Sequence, residues 1–274
     1  MAIEIYYSED AGWTLAETAD FLAAEPVLNN LILTLLHSRA VSREAGRYWT
    51  AEENDQVVGL VYQSPLHFQA QITPMPAEVI TAVVNAICDM GAVLPGVSGT
   101  AAAAARFAGQ WTERMKSAAV PEQGLRLYEI EEVAMPEAVP GRMRLATAAD
   151  REFLIDWVTY FHREAGLPET DVAVGVDGRL AQEQYLLWED DEPVSLVGFR
   201  SAVERVKRIG PVYTPPVHRR NGYAGVLVGE LSQEILDQGN RCVLYTDLAN
   251  PQSNSIYRRL GYRAVDEVIR YKFL

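Results

Sequence analysis

Residues 218–231 read HRRNGYAGVLVGEL, and within them Arg219, Arg220, Asn221, Gly222, Tyr223, Ala224 and Gly225 make a combination suited to holding an anion. Arginines supply charge-assisted hydrogen bonds, and glycine or alanine lets a ligand reach the backbone N–H groups. Ala224, Leu227, Val228, Leu231 and Ile235 then recur at helical spacing, so the stretch opens a helix over 222–238 that Gly239 stops. A helix start exposes unpaired N–H groups and the positive end of the helix dipole, which favours a phosphate. Arg205, Lys207 and Arg208 on the preceding strand-like run complete the densest basic cluster of the chain. An ordinary loop with solvated arginines and a glycine turn accounts for the same residues equally well.

The chain around this cluster is acidic. Its 274 residues carry a net charge of −13, which argues against a nucleic-acid partner and leaves room for a small phosphorylated ligand held locally. The hydrophobic content of 49% suffices for a core. Cys88 and Cys242, both in apolar runs, read as buried inert thiols. His37, His67, His162 and His218 are scattered without metal-ligand spacing, so no metal is expected. His218 alone lies in the loop. The start MAIEIYYSED lacks the basic and apolar regions of a signal peptide, and no apolar run reaches the roughly 18–20 residues that span a bilayer. A cytoplasmic protein without a membrane partner is the expectation.

The length exceeds the roughly 100–150 residues of a typical domain, so two domains are expected. EEVAMPEAVPGRM (131–143), with two prolines and a glycine, reads as a strand end and a linker. On either side the pattern recurs: the hairpin-like stretches 47–64 and 184–201 align Tyr48 with Tyr185, Glu52 with Glu189 and Val57 with Val194 at one constant offset. Each is preceded by helix-like segments and followed by a strand-like run with prolines near its end, which points to internal duplication. PVLNNLILTLLHS (26–38) reads as a core helix. In the second half, Thr147 and Asp150 bracket a helix start, a second helix falls in 171–182, and a strand over 204–214 follows the hairpin. RCVLYTDL is a buried strand, PQSNSIYRRLG a short helix ending at Gly261, and YRAVDEVIRYKFL one or two closing strands. This alternation gives an α/β chain with a mixed sheet. The first half reads TPMPAEVITAVVNAICDM at the place of the arginine loop, so its helix starts behind Pro76 with no such loop.

Arg219-x-x-Gly222-x-Ala224 resembles the Arg/Gln-x-x-Gly-x-Gly/Ala signature of the GNAT acetyltransferase superfamily. The block TDLANPQSNSIYRRLGYR resembles the strand and helix that follow it in that family. The resemblance covers about residues 141–274, and the repeat extends it to the first half as a degenerate copy. It implies two GNAT-like domains, 1–135 and 141–274, each a mixed central sheet flanked by helices. It also implies acetyl-CoA, or another acyl-CoA, as co-substrate, lying where two parallel strands splay. The pyrophosphate would sit on the N–H groups of 219–225, and the pantetheine arm would pair with Val212, Tyr213 and Thr214. Asn250 and Asn254 would bond to that arm or order the following helix, and Tyr257 falls on the family's tyrosine near the sulfur, where it would protonate the leaving thiolate. The chain departs from the family at the strand carboxylate that serves many members as general base, because the corresponding residue is Arg208. Glu204, Asp247 or direct attack by a neutral amine remain as alternatives.

The resulting expectation is an N-acyltransferase acting on a small-molecule or peptide amine, as a monomer or homodimer. A non-catalytic acyl-CoA-binding regulatory module is the alternative, motivated by Arg208. A dinucleotide-binding oxidoreductase fits poorly, since neither half has Gly-x-Gly-x-x-Gly after its first strand. The acidic composition leans toward a cationic acceptor.

Overall fold

The computed structural model describes residues 3–42, 44–167 and 171–274. The first half runs β1 (Ile3–Ser8), α1 (Ala11–Ala24), α2 (Asn30–Ser42), β2 (Arg47–Glu53), β3 (Gln56–Gln63), β4 (Ala70–Ile72), α3 (Ala77–Asp89), β5 (Gly96–Thr100), α4 (Ala101–Met115) and β6 (Ala119–Ile130). The second half repeats that order with β7 (Arg142–Leu145), α5 (Arg151–Glu164), α6 (Val172–Ala181), β8 (Tyr185–Asp190), β9 (Glu192–Phe199), β10 (Val206–Tyr213), α7 (Tyr223–Asp237), β11 (Arg241–Asp247), α8 (Pro251–Leu260) and β12 (Arg263–Phe273). Among the described residues no helix is long and apolar enough to cross a membrane.

The matching hairpins carry their irregularity at the same place. The ladder shifts register between Ala51 and Glu52 in one and between Trp188 and Glu189 in the other, the same spacing that separates Tyr48 from Tyr185. The turns differ. Asn54 and Asp55 both take positive φ (53° and 60°), as a two-residue hairpin turn requires, whereas Asp191 turns alone at 60°. The second hairpin is therefore one residue shorter. Glu52 faces Val57 and Glu189 faces Pro193, so the structural partner of Val57 is Pro193 and not Val194.

Two compact units divide the chain. The first comprises the residues up to Leu127 together with Val265–Leu274, with strand order β1-β2-β3-β4-β5-β12. β4 and β5 run parallel and the other pairs for which register is defined are antiparallel. Its core packs Trp49, Ile72, Ile80, Val83, Val97, Phe107 and Trp111. The last ten residues belong here, unlike the expected limit of 141–274, because Val268–Lys272 of β12 zip antiparallel onto Gly96–Thr100 of β5. α2 buries Asn30, Ile32, Leu33 and Leu36, the core role expected of 26–38.

The second unit, Tyr128–Ala264, has strand order β11-β10-β9-β8-β7, with β10 and β11 parallel. α7 buries Val226, Leu227, Val228, Leu231 and Ile235, joined by Ile209, Leu244, Tyr257 and Tyr262 on one face of the sheet. The other face packs Leu154 and Val158 of α5 and Val176 of α6 on Tyr185, Leu187 and Leu196. Asp150 accepts from the Thr147 N–H at 2.7 Å in a capping box, and Arg144 grips its carboxylate at 2.8 and 2.9 Å, holding that acid below the usual carboxylate range.

The segment expected to be a plain linker is a strap bound to the second unit. The Ala134 N–H bonds the Leu260 carbonyl at 2.9 Å, and Trp188 Nε1 holds the Pro140 carbonyl at 2.7 Å. Met135, Pro136 and Val139 lie against Gly229, Gly225 and Gly222 in turn, so the strap runs antiparallel along the glycine face of α7.

Gly96 offers a check on the β5–β12 closure. A Cβ there would land on the Tyr271 carbonyl oxygen and within 2.8 Å of Gln69. Gly96→Ala is expected to destabilise the protein by about 1–3 kcal/mol. A thermal melt reads this directly, and an unchanged midpoint would refute the close approach.

Candidate functional site

The site begins where two parallel strands part. β10 pairs with β11 from Val206↔Arg241 to Ile209↔Leu244, and no further. β10 continues to Tyr213 and β11 to Asp247. The departure coincides with an irregularity: β10 shifts register against β9 between Ile209 and Val212, around Gly210 at φ 144°. A gap thus opens in the sheet, with Val212, Tyr213 and Thr214 on one lip. Tyr213 is buried under Trp157 of α5 (centroids 6.1 Å apart), and Ser195 Oγ reaches the Tyr213 carbonyl at 3.3 Å and Thr214 Oγ1 at 2.8 Å.

The arginine loop follows directly. Arg220 (φ 68°) and Gly222 (φ 86°) are both left-handed, and Gly222 is the N-cap of α7. The N–H groups of Arg220 through Ala224 find no acceptor among the described residues, since the first backbone bonds of the helix are those of Gly225 and Val226 to Gly222. The two arginines part company. Arg219 is turned inward: Nε bonds the Thr214 carbonyl at 2.8 Å, Nη2 meets both Glu164 oxygens at 2.7 and 2.9 Å, and the guanidinium lies 5.7 Å from the centre of the Tyr213 ring. It fastens the loop to β10 and α5. Arg220 is exposed and forms no ion pair among the described residues. Asn221 donates to the His218 carbonyl at 3.2 Å. His218 Nε2 lies 3.6 Å from Glu192. Tyr223 ties the helix start to β8 through a 2.5 Å bond to Asp190. Gly222 has a packing reason beside any ligand, because a Cβ there would stand 3.0 Å from Val139 of the strap.

On the other lip, Asn250 caps α8 by accepting from the Ser253 N–H at 3.0 Å. Asn254 is buried, and its amide donates to the carbonyls of Asp247 (2.8 Å) and Asn250 (2.7 Å) while its oxygen takes the Tyr128 hydroxyl at 3.1 Å. Both asparagines therefore order α8 against the end of β11. Tyr257 is 8% exposed, between Tyr128 and Tyr262, and burial alone pushes its hydroxyl well above the ordinary pKa. It stays protonated at neutral pH. Among the described residues no His/Cys/Asp/Glu group could hold a metal.

The basic cluster read from the sequence disperses in space. Arg205 donates to the Gly239 carbonyl and Lys207 to Gln238, so both serve the C-terminal end of α7, where cations offset the helix dipole. Arg208 takes the opposite face from Ile209 by strand alternation. Glu204 is exposed on the turn before β10, at the far end of the strand from the gap. Asp247 bonds the Ala249 N–H at 2.7 Å. Three functional features escape the sequence reading: Glu164 as the partner of Arg219, the strap over α7, and Arg179 and Arg200 on the face of the gap that carries α5. Gly198, inside an otherwise apolar strand run, is the one sequence signal for the last of these.

Residues 190–271, which span β9, the gap, the loop and both following helices, match the family model described as FR47-like protein. No curated protein matches the chain in sequence. Solved structures match the fold across the whole length. An acetyltransferase of the GNAT family from Colwellia psychrerythraea is 12% identical, covers 100% of both chains and has a TM-score of 0.63. A Drosophila protein is 14% identical over 98% of each chain, with a TM-score of 0.65. A tandem GNAT protein from the clavulanic acid biosynthesis pathway is 11% identical over 98% of each, with a TM-score of 0.57. The parted parallel strands and the glycine-opened helix lie within the matched segment, and the fold is the one these GNAT structures have.

Proposed function

We propose that the chain is an N-acyltransferase that uses acetyl-CoA and acts on a small-molecule or peptide amine, in the cytoplasm, as a monomer or homodimer. The observation that carries this reading is the pairing of the gap past Ile209 and Leu244 with five N–H groups, Arg220 to Ala224, that are unengaged among the described residues at the start of α7. An extended pantetheine arm in this gap would bond the edge of β10 at Val212, Tyr213 and Thr214. The free N–H groups and exposed Arg220 suit the pyrophosphate. In the reaction the acceptor nitrogen forms a bond to the thioester carbonyl carbon, the carbon–sulfur bond breaks, and its electron pair leaves on sulfur. The sulfur takes the Tyr257 proton, and the proton shed by the amine is released to solvent, from which the tyrosine is reprotonated.

The first unit supports a single site. Its helix α3 starts behind Pro76, and the preceding Thr73-Pro74-Met75-Pro76 offers two prolines, which lack N–H groups, in place of the loop. Calorimetry on the intact chain is therefore expected to give one acetyl-CoA per chain. Two equivalent sites would contradict the assignment. The competing reading, a regulatory acyl-CoA-binding module, is favoured by the absence of a carboxylate at Arg208. Binding without thiol release across a broad amine panel would establish it.

Two substitutions probe the site further. Gly222→Val places a branched side chain in a left-handed backbone and against Val139. It is expected to lower stability by about 1–3 kcal/mol and to abolish measurable acetyl-CoA binding in the folded protein. Affinity retained in a folded variant would remove the loop from the site. Tyr257→Phe removes a hydroxyl that makes no hydrogen bond among the described residues, so the fold is expected to survive. Turnover should fall by about 10²–10⁴-fold with the acetyl-CoA Kd unchanged, because the proton is donated in the transition state. Unchanged turnover would return Tyr257 to a packing role.

A further inference from the structure

We propose that the sheet face carrying α5 and α6, beside the β10–β11 gap, holds an oxyanion of the acyl acceptor, so that the preferred acceptor is a small amine bearing a carboxylate or phosphonate group. The proposal rests on the acyl-transfer reading for the identity of its ligand, and on the following geometry for the site.

Three arginines converge on that face. Arg179, in the last turn of α6, donates through Nη1 to the Gly210 carbonyl at 2.7 Å, at the point where β10 leaves β11, and its guanidinium lies 5.5 Å from the centre of the Tyr185 ring. It occupies space that Gly198 leaves, since a Cβ there would stand 2.8 Å from Nη1. Arg200 follows β9, its backbone N–H bonded to the Arg208 carbonyl at 3.0 Å. Its half-buried side chain forms no hydrogen bond or ion pair among the described residues. Arg208 shares this face by alternation with Ile209. His162 of α5 adds a buried Nδ1 without a hydrogen-bond partner.

The electrostatics agree. Desolvation, followed by the charges of Arg200 and Arg208, pushes the Arg179 pKa down to about 10 despite the Tyr185 ring. Desolvation lowers Arg200 as well, and desolvation and then Arg179 lower His162. In a chain with 37 acidic residues, neither Arg179 nor Arg200 has a carboxylate partner among the described residues. Inward-facing cations without a counter-ion are costly, and an arriving oxyanion removes that cost. The planar fork of arginine matches a carboxylate or phosphonate in two-point contact. A ligand held there lies against Gly210, so a nearby amine on the same molecule reaches the gap. The acidic composition, which suggests a cationic acceptor, is thus overridden by the local charge of this face.

The test compares matched amines on the intact chain by thiol release from acetyl-CoA: alanine against alaninamide, and 2-aminoethylphosphonate against ethanolamine. Within each pair the anionic member is expected to have the higher kcat/KM by about 10²-fold, the two arms separating carboxylate from phosphonate. Arg200→Gln should raise KM for the anionic members by about 10–100-fold, the scale of one lost charged hydrogen bond. Its acetyl-CoA Kd should not move, and its melting temperature should not fall. If the variant melts early, the wild-type comparison decides alone. Equal rates within both pairs would overturn the proposal. Calorimetric titration with alanine and with inorganic phosphate runs in parallel. Oxyanion binding lost in Arg200→Gln supports the site even where no amine turns over, and no oxyanion binding to the wild type overturns it. Phosphate binding abolished by saturating CoA would assign the cluster to the cofactor's own phosphates and overturn the acceptor role. Failure of acetyl-CoA itself to bind would instead refute the acyl-transfer reading.

Discussion

The parting of β10 from β11 after Ile209 and Leu244 is the constraint on which the second unit is built. A strand leaving its neighbour inside a sheet strands polar backbone groups that burial would penalise. Here side chains take over the carbonyls of the freed length. Arg179 bonds the Gly210 carbonyl, Ser195 Oγ the Tyr213 carbonyl, and Arg219 Nε the Thr214 carbonyl. Each donor comes from a different element, so α6, β9 and the loop before α7 are all tied to the same strand end. The parting also frees the chain to turn into α7 with its first N–H groups uncovered. Gap, loop and arginine-lined face are consequences of one interrupted ladder.

The first unit shows what happens when the same order of elements is kept and the interruption is put to no such use. β4 pairs with β5 at Ala70↔Val97 and Gln71↔Ser98 and ends at Ile72. Thr73 then returns to β3, exchanging bonds with Leu60 through its N–H and its Oγ1. Met75 packs beside Gly59, and Pro76 heads α3. A hydrophobic plug and two prolines stand at the place where the second unit has arginines and a left-handed glycine. The first unit keeps its core and has no such polar surface at that place.

Much of this was legible in the residues. Helical spacing, Gly239 and Gly261 bounded α7 and α8 closely, because those stops rest on local backbone preference. The repeat was legible because both hairpins keep a tyrosine-to-glutamate strand with one irregularity. Its one slip, Val57 set against Val194, came from a turn shortened by one residue, and turn length leaves little trace in composition. The linker reading of 131–143 missed the strap, since nothing local says that Val139, Pro136 and Met135 will meet Gly222, Gly225 and Gly229. The basic cluster misled for a similar reason. Neighbours in sequence on a strand point to opposite faces, so Lys207 and Arg208 were bound to separate. Arg179, distant in sequence, and Arg200, across the turn between β9 and β10, join Arg208 only through the fold.

Arg208, which the sequence resemblance sets at the place of a GNAT carboxylate, then takes on a different meaning. A general base serves to strip a proton from an ammonium before attack, and a carboxylate does so by accepting it. A cationic surround reaches the same end by disfavouring the charged form of a neighbouring amine. On the acyl-transfer reading, an amine in the gap lies close to Arg179 and Arg200, both already desolvated enough that their own charge is disfavoured. One oxyanion on the acceptor offsets one of these charges and leaves an excess that still opposes an ammonium. The neutral nucleophile is then the favoured bound form, and the proton goes to solvent during binding with no carboxylate needed to receive it. The same residues would hold the acceptor and lower the pKa of its amine, which is a physical reason for a buried cationic face to stand where a base is otherwise expected.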